Sequence, residues 1–376
     1  MKIQLSDHFT YQRLLHFCLP SIVMMIFTSI YGVVDGLFVS NFVGKIPFAA
    51  INLVMPFIMI LGGFGFMIGT GGSALIAKTL GEGRHKLANR YFSMLIIMTV
   101  ILGFFLTTIG IVFARRVSIL LGATDVMLDD CVIYLRTVLL FISPFMLQNV
   151  FQSFLVTAQK PHAGLIVTII AGLTNMSLDA LFIVVFRWGV AGATGISQCI
   201  GGLLPLILFL GKNDSLLHLV PTRLEWRPFF LSCTNGMSEL MGNISSSIVS
   251  MLYNFQLLNY AGENGIAAYG VLMYVQFIFI AVFFGYTIGV GPVIGYHYGA
   301  GNHAELKNLL RKSLKLNIIT GISMTILANL FAGALSRIFV GYDPELYAMT
   351  KSAFHIFALS FLVCGINIFA SAFFTA

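Results

Sequence analysis

The chain alternates long apolar runs with short polar breaks. Ten runs are long enough to cross a bilayer as helices, since a span needs roughly 20 apolar residues. They cover residues 14–40, 47–77, 91–113, 127–155, 162–186, 190–211, 229–258, 265–296, 313–335 and 347–374. These runs are unbroken, whereas barrel strands would alternate over about ten residues. The pattern therefore predicts an all-α polytopic membrane protein.

Composition supports a membrane environment. Hydrophobic residues make up 58% of the chain and charged residues only 9%, whereas a soluble domain carries about 25% charged residues. The first 17 residues are polar and aromatic, and no small-residue cleavage site follows them. We therefore expect the first run to be a retained span and not a signal peptide. The five cysteines form no CxxC motif, so neither a metal cluster nor a disulfide framework is expected.

Basic residues are biased to one side of the predicted membrane. Of the 21 Lys and Arg residues, 14 fall in loops on the side of the N-terminus. The positive-inside rule then predicts a multi-pass protein of the cell (inner) membrane with a cytoplasmic N-terminus. The basic residues are spread over several loops, so we expect the lipid bilayer and no nucleic acid as a partner. We expect the protein to act as a monomer.

The chain repeats itself at a distance of 218 residues. The matching pairs include Asn41 and Asn259, Gly44 and Gly262, Gly81 and Gly299, Gly83 and Gly301, and Phe151 and Phe369. Matches in loops as well as in spans argue against chance similarity of two hydrophobic stretches. An even number of spans separates the copies, so both have the same orientation. Repeats of this kind are related by an axis along the membrane normal, as in several transporter folds.

The repeat predicts two pseudo-symmetric helical lobes. The N-lobe covers residues 1–211 with six spans, the cytoplasmic linker covers 212–228, and the C-lobe covers 229–376 with four spans. The second copy stops at Ala376, the counterpart of Ala158, so it is expected to lack two spans. Either the gene product is truncated, or the chain is a fragment of a longer one.

Besides Asp129 and Asp130 in the first turn of the run 127–155, three acids lie inside the predicted spans: Asp35, Asp179 and Glu239. A charge in the membrane is costly, so such residues usually face a cavity and carry function. Asp35 and Asp179 lie roughly 27–31 Å along helices that start on the same side. Two carboxylates at one depth predict a site that shares a proton or binds a sodium ion. The alternative is two separate acids near the outer interface, each satisfied by water.

Other residues in the same spans match this interpretation. Asn175 lies four residues before Asp179 and therefore on the same helix face. Tyr31 has the same spacing to Asp35, although an ordinary interfacial tyrosine would also explain it. Pro20 removes one backbone hydrogen bond and permits a bend in the first span, or only a static kink.

Glu239 lies near the middle of the seventh span. Small and polar residues surround it from 235 to 247, and such residues line cavities or let helices pack closely. Glu239 is a candidate functional acid of the C-lobe, or else a buried structural anchor. The 35 Phe and 17 Met residues would suit a soft, cation-attracting pocket, although most of them must simply face lipid.

Four stretches resemble the multidrug and toxic compound extrusion (MATE) family, in its prokaryotic branch. They are residues 20–39, 69–88, 175–179 and 189–198. The resemblance covers nearly the whole chain. It implies a secondary active antiporter of twelve spans that exports organic cations, drugs and other amphipathic compounds by alternating access. Inward flux of protons or sodium ions would drive export, and no cofactor besides the coupling ion is expected.

The resemblance also implies roles for individual residues. Asp35, Asn175 and Asp179 fall on the positions of the family's N-lobe cation site, where the metal would be sodium. Gln152 matches a polar member of that site. Ser197 stands where many relatives have Thr, and it keeps the hydroxyl group.

The remaining family positions concern movement and the second lobe. Tyr31 and Pro20 keep the family's spacing to Asp35, and Pro20 stands where the first span is expected to bend on protonation. Glu239 resembles the span-seven acid that other branches link to the C-lobe. The two missing spans depart from the family pattern and would leave the C-lobe cavity open on one side.

Three alternative functions compete with cation export. A lipid-linked saccharide flippase of the same superfamily would line its cavity with basic residues. The first lobe has no Lys or Arg near the middle of a span, since Arg136 lies nine residues from the start of the run 127–155. An intramembrane enzyme would need a motif such as GxGD, GxSG or HExxH, and none occurs. We therefore do not expect an enzyme. A passive channel fits the two-lobe repeat and the isolated acids less well than alternating access does.

Overall fold

The chain is described from a computed structural model that defines residues 3–42, 45–185, 191–211, 214–341 and 343–376. Within these ranges every regular element is a helix, because lipid-exposed backbone groups must be paired inside the segment. The α-helices are α1 (Tyr11–Phe42), α2 (Lys45–Gly81), α3 (His85–Leu120), α4 (Leu128–Leu140), α5 (Ile142–Thr157), α6 (Pro161–Asp179), α7 (Ala191–Leu210), α8 (Trp226–Asn235), α9 (Met237–Gly299), α10 (His303–Val340), α11 (Pro344–Phe357) and α12 (Phe361–Thr375). The predicted all-α polytopic fold is confirmed.

The lengths of the helices suit a membrane. In the described ranges, eight helical segments are long and apolar enough to cross it, and the pair α4 and α5, bent by 54°, makes nine. The predicted span 229–258 is divided at Gly236 into α8 and the first part of α9. We call the face at which α1 begins the N-terminal face of the bundle.

Helix α9 folds back on itself as two antiparallel arms. The rings of Tyr253 and Tyr269 stack with their centroids 5.3 Å apart. Sixteen residues of straight helix would separate them by about 24 Å. The predicted spans 229–258 and 265–296 therefore run in opposite directions, although helical backbone connects them.

The internal repeat is visible in the backbone of two turns. Gly83, before α3, has a φ of +77°, and Gly301, before α10, has a φ of +67°. Glycine adopts this left-handed conformation without a steric penalty. The two aligned glycines thus make the same kind of turn in both copies. The boundaries of the lobes stay a prediction.

Glycines bring the two predicted lobes into contact near the N-terminal face. A Cβ atom on Gly299 of α9 would lie 2.0 Å from the backbone oxygen of Lys78 in α2. One on Gly81 of α2 would lie 2.0 Å from the backbone oxygen of Tyr296 in α9. No side chain fits at either position, so the two helices touch backbone to backbone, as small residues allow in membranes.

The segment between the predicted lobes is docked on α3. Residues 214–225 contain no helix. The backbone N–H of His218 donates to Oδ1 of Asn89 at 3.1 Å, and that of Val220 donates to Oγ of Ser93 at 2.9 Å. The part of the predicted linker from 214 to 225 therefore has a defined path along α3.

The N-terminal segment docks on α10 through the buried carboxylate of Glu305. Its Oε1 accepts hydrogen bonds from the backbone N–H of Phe9 at 3.0 Å and from Nδ2 of Asn308 at 2.8 Å. Its Oε2 lies 2.6 Å from Nδ1 of His8. Nζ of Lys312 donates to the backbone oxygen of Phe9 at 2.5 Å. Because α1 follows directly, this network joins the start of the first lobe to the second.

Replacing Glu305 with alanine is expected to lower the melting temperature of the purified protein by several degrees. The donors around the carboxylate would lose their partner, and a hydrogen bond to a charged group contributes about 1.5–3 kcal/mol. Thermal unfolding in detergent, followed by tryptophan fluorescence, measures the effect. Glu345, exposed in the first turn of α11, provides the matched control, Glu345→Ala. Equal melting temperatures for the two variants would contradict this role of Glu305.

Candidate functional site

Helix α6 carries a stripe of small and polar residues on its buried face. Asn175 is 2% exposed and Asp179 is 0% exposed. Four residues separate them, which places both on one side of the helix. Thr168 and Gly172, both buried, continue the stripe towards the N-terminal face. The structure therefore brings Asn175 and Asp179 together on one buried surface.

The helical pitch changes directly after the buried acid. Helix α6 ends at Asp179, and a π-helical turn, Ala180–Val185, follows. The predicted run 162–186 is thus helical at its described positions but not uniformly α-helical. Turns of the π type are rare and occur frequently at functional sites.

Helix α1 runs parallel to α6 and in contact with it. Sδ of Met24 lies 3.6 Å from the Cβ position of Gly164, and Cδ1 of Tyr31 lies 2.9 Å from that of Gly172. The two contacts are seven residues apart on α1 and eight residues apart on α6, so the helices stay in step. The turn of α1 beyond Tyr31 is therefore level with the turn of α6 that carries Asn175.

The side chain of Asp35 lies outside the described residues. Its backbone belongs to α1, one turn beyond Tyr31, which is the level of Asn175. This height agrees with a site shared by Asp35 and Asp179, but the pairing itself stays a prediction. Helix α1 continues through Pro20 without interruption, and its role as a hinge also stays a prediction.

Two contacts relate the heights of α5, α6 and α7. Cβ of Leu155 in α5 lies 3.6 Å from the Cβ position of Gly164 in the antiparallel helix α6. A Cβ atom on Gly201 of α7 would lie 2.6 Å from the amide carbon of Gln148 in the parallel helix α5. Because each helical residue rises by about 1.5 Å, these two contacts fix the level of every other position on the three helices.

Helix α7 places Ser197 level with Asn175. The contacts of Leu155 with Gly164 and of Gln148 with Gly201 place both residues at the height of Pro144 in α5. The Ser197 hydroxyl donates to the backbone oxygen of Thr194 at 2.8 Å. The neighbouring Gln198 is also buried, and its Oε1 has no hydrogen-bond partner in the described part of the chain. Ser197 thus lies at the level of Asn175, and its membership of a cation site stays a prediction.

Gln152 lies well below the level of Asn175 and Ser197, towards the N-terminal face. It precedes Leu155 by three residues and is therefore level with Thr168, about 16 Å from Asp179 along α6. Gln148, Gln152 and Thr168 line a cavity in which the centre of a water molecule has about 10 Å³ of free space. The structure does not bring Gln152 to Asp179, because three turns of α6 separate their levels.

Sequence reasoning missed two buried polar residues near the site, Gln148 and Gln198. Their signal is spacing within apolar helices: Gln148 precedes Gln152 by four residues, and Gln198 directly follows Ser197. Polar side chains repeated on one face of an apolar helix indicate an interior polar surface.

Glu239 lies apart from this site, at the junction of α8 and α9. It is half-buried in the first turn of α9, and its backbone oxygen accepts from Nδ2 of Asn243 at 2.8 Å. The preceding Ser238 forms a hydroxyl hydrogen bond of 3.0 Å with Thr375 of α12. The functional role predicted for Glu239 in the C-lobe stays a prediction.

A family model described as MatE matches residues 20–181 and 240–376. The chain belongs to the MatE family. The resemblance predicted from the sequence is therefore confirmed. A MatE protein with this many apolar helices is a multi-pass membrane protein. The match includes parts of both predicted lobes and omits residues 1–19 and 182–239.

Curated relatives of this MatE protein include multidrug exporters. The chain is 25% identical over 366 residues to multidrug export protein MepA of Staphylococcus haemolyticus, covering 95% of this chain and 79% of that protein. It is 26% identical over 309 residues to MepA of Staphylococcus saprophyticus, covering 80% of this chain and 67% of that protein.

Solved MATE structures share the fold. A crystal structure of MATE in the straight conformation matches with a TM-score of 0.90 at 20% identity, covering 98% of this chain and 83% of that one. An outward-facing multidrug resistance MATE family transporter of the MOP superfamily matches with a TM-score of 0.88 at 20% identity, covering 97% and 85%. At this identity the likeness concerns the fold alone.

Proposed function

We propose that this MatE protein is a secondary active antiporter that exports organic cations and other amphipathic compounds in exchange for protons or sodium ions. The observation that carries the proposal is Asp179, a carboxylate with no exposed surface inside an apolar bundle. A buried charge is retained in a membrane mainly where it serves transport. The printed names of the MepA relatives supply the substrate class.

The groups around Asp179 suit a small cation. Asp179 supplies carboxylate oxygens, Asn175 an amide oxygen and Ser197 a hydroxyl oxygen, and hard cations prefer such ligands. Together with Asp35, Asn175 and Asp179 would hold sodium, whose charge would neutralise the carboxylates. A proton on one carboxyl group would achieve the same neutralisation.

Alternating access would use the contact between α2 and α9. In this structure the two helices touch at the N-terminal face, which we infer to be the cytoplasmic face of the cell membrane. Ion binding near Asp179 would reshape α1 around Pro20 and displace the substrate to the opposite side. The lobes would then separate at the N-terminal face and release the ion. Differential binding of ion and substrate to the two states supplies the coupling.

Transport by sealed vesicles tests this function. The purified chain is reconstituted in proteoliposomes, and efflux of the fluorescent organic cation ethidium is followed under an imposed proton gradient or sodium gradient. We expect one of the two gradients to accelerate efflux, and an ionophore that collapses that gradient to abolish the acceleration. An efflux rate that neither gradient changes would indicate a passive channel and overturn the proposal.

A further inference from the structure

A small cavity lies inside the N-lobe between α5, α6 and α7. Its polar lining comes from Gln148, Gln152 and Thr168, and Leu155 contributes to its apolar lining. The centre of a water molecule has about 10 Å³ of free space there, which is room for about one water molecule. The height of the cavity, one turn above Leu155, places it between the Asp179 site and the N-terminal face.

One residue of the cavity wall carries a buried acceptor to which none of the described residues donates. Gln152 is 5% exposed, and its Oε1 has no hydrogen-bond partner among the described residues. A buried carbonyl oxygen without a donor is costly, and ordered water commonly satisfies such a group. The absence of a side chain at Gly201 makes room for the Gln148 amide on the same wall.

Polar groups continue from this cavity towards Asp179 at intervals of about one helical turn. Gln148 is level with Ala171 of α6, one turn above Thr168. Asn175 lies one turn higher, with Ser197 at the same height, and Asp179 lies one turn above them. A single bridging water joins groups about 5.6 Å apart, which is close to the helical pitch of 5.4 Å.

We propose that the cavity binds one ordered water and forms the inner end of the path by which the coupling ion leaves the Asp179 site towards the N-terminal face. The inference rests on the proposed antiport function and adds its exit route. At the end of the cavity nearer the N-terminal face, Leu155 at 3% exposure and Met24 at 1% exposure pack against Gly164 and would close the path in this state. Such closure is what alternating access requires while the lobes touch at this face.

Hydroxyl-radical footprinting tests the water site without any transport measurement. X-ray radiolysis of bound water oxidises the side chains beside it, so Phe151 and Leu155 of the native chain are expected to be labelled despite their burial. The double variant Thr168→Val with Gln152→Leu removes the polar lining and is expected to reduce this labelling several-fold. Labelling of Tyr298, which is exposed at the end of α9 on the N-terminal face, serves as the internal control. Native Phe151 and Leu155 that stay unlabelled would overturn the water site.

Transport kinetics test the exit route. Net gradient-driven export requires ion release at the N-terminal face, whereas exchange of substrate for substrate does not. The double variant is expected to lose about tenfold in net export, which is the effect of about one lost hydrogen bond. It is expected to retain substrate exchange. Thr168→Ser keeps the hydroxyl and is expected to retain net export. Thr99→Val is the matched control, because this buried hydroxyl donates only within α3, to Leu95.

The outcomes separate this proposal from the proposed function. Unchanged net export by the double variant would overturn the exit route, and so would an equal loss of net export and of substrate exchange. If the native chain shows no gradient-driven export at all, the antiport function fails, and footprinting still decides whether the cavity holds water.

Discussion

Replacing Asp179 with asparagine is expected to abolish ion-driven export by this protein. Asparagine has nearly the same shape, but it can neither take up a proton nor balance the charge of a sodium ion. Loss of a charge-assisted interaction of about 3 kcal/mol corresponds to roughly a hundredfold loss of ion binding. Ethidium efflux from proteoliposomes under the driving gradient measures the effect. Because Asp179 is fully buried beside Asn175, removing its charge should not reduce the stability of the fold.

The control for this experiment is Asp129→Asn. Asp129 lies exposed in the first turn of α4, far along the chain from the site, and the variant should transport like the native chain. Asp35→Asn is expected to behave like Asp179→Asn if the two acids share one ion. Full gradient-driven export by Asp179→Asn would remove the proposed coupling site.

Replacing Gly299 with alanine is expected to force the lobes apart at the N-terminal face. The new methyl group would lie 2.0 Å from the backbone oxygen of Lys78, and a backbone atom cannot move aside as a flexible side chain can. Overpacking of this kind costs about 1–3 kcal/mol, which shifts a two-state equilibrium about 5- to 150-fold. The state with the N-terminal face closed would lose its advantage, and coupled export would fall accordingly.

Distance measurements between the lobes check this expectation. Spin labels on cysteines introduced at the exposed positions Lys86 and Lys307 of a cysteine-free chain report the separation of α3 and α10 at the N-terminal face. Gly299→Ala should lengthen the mean distance. Gly270→Ala on the same helix adds a methyl group where no atom lies within 4 Å, and it should leave the distance unchanged. Identical distances in both variants would contradict the role assigned to Gly299.

The helical spans and the stripe on α6 could be predicted because they depend on local periodicity. Asn175 and Asp179 are four residues apart on one helix, so their common face follows from helical geometry alone. The resemblance to MATE proteins likewise rested on contiguous residues, and the family match confirms it. Apolar runs of about 20 residues leave a membrane helix as the main solution for their backbone groups.

The height of Gln152 could not be predicted, because it depends on the register between two helices. Its match to a family position suggested a place beside Asp179, but the contact of Leu155 with Gly164 places it about 16 Å lower. The π-helical turn after Asp179 was equally hidden, since Ala180–Val185 contains neither proline nor glycine. The docking of Glu305 on Phe9 joins residues 296 positions apart, beyond the reach of any local pattern.

The sequence by itself determined that this protein is a bundle of membrane helices, and it predicted a two-fold internal repeat and acids inside the spans of the first lobe. Those properties follow from hydrophobic length, helical period and the cost of charge in lipid, which act within one segment. Only the tertiary structure decided which polar residues share a level, where the lobes touch, and that a water-sized cavity lies between Asp179 and the N-terminal face. Helix register depends on side-chain packing between distant segments, and no single segment contains that information.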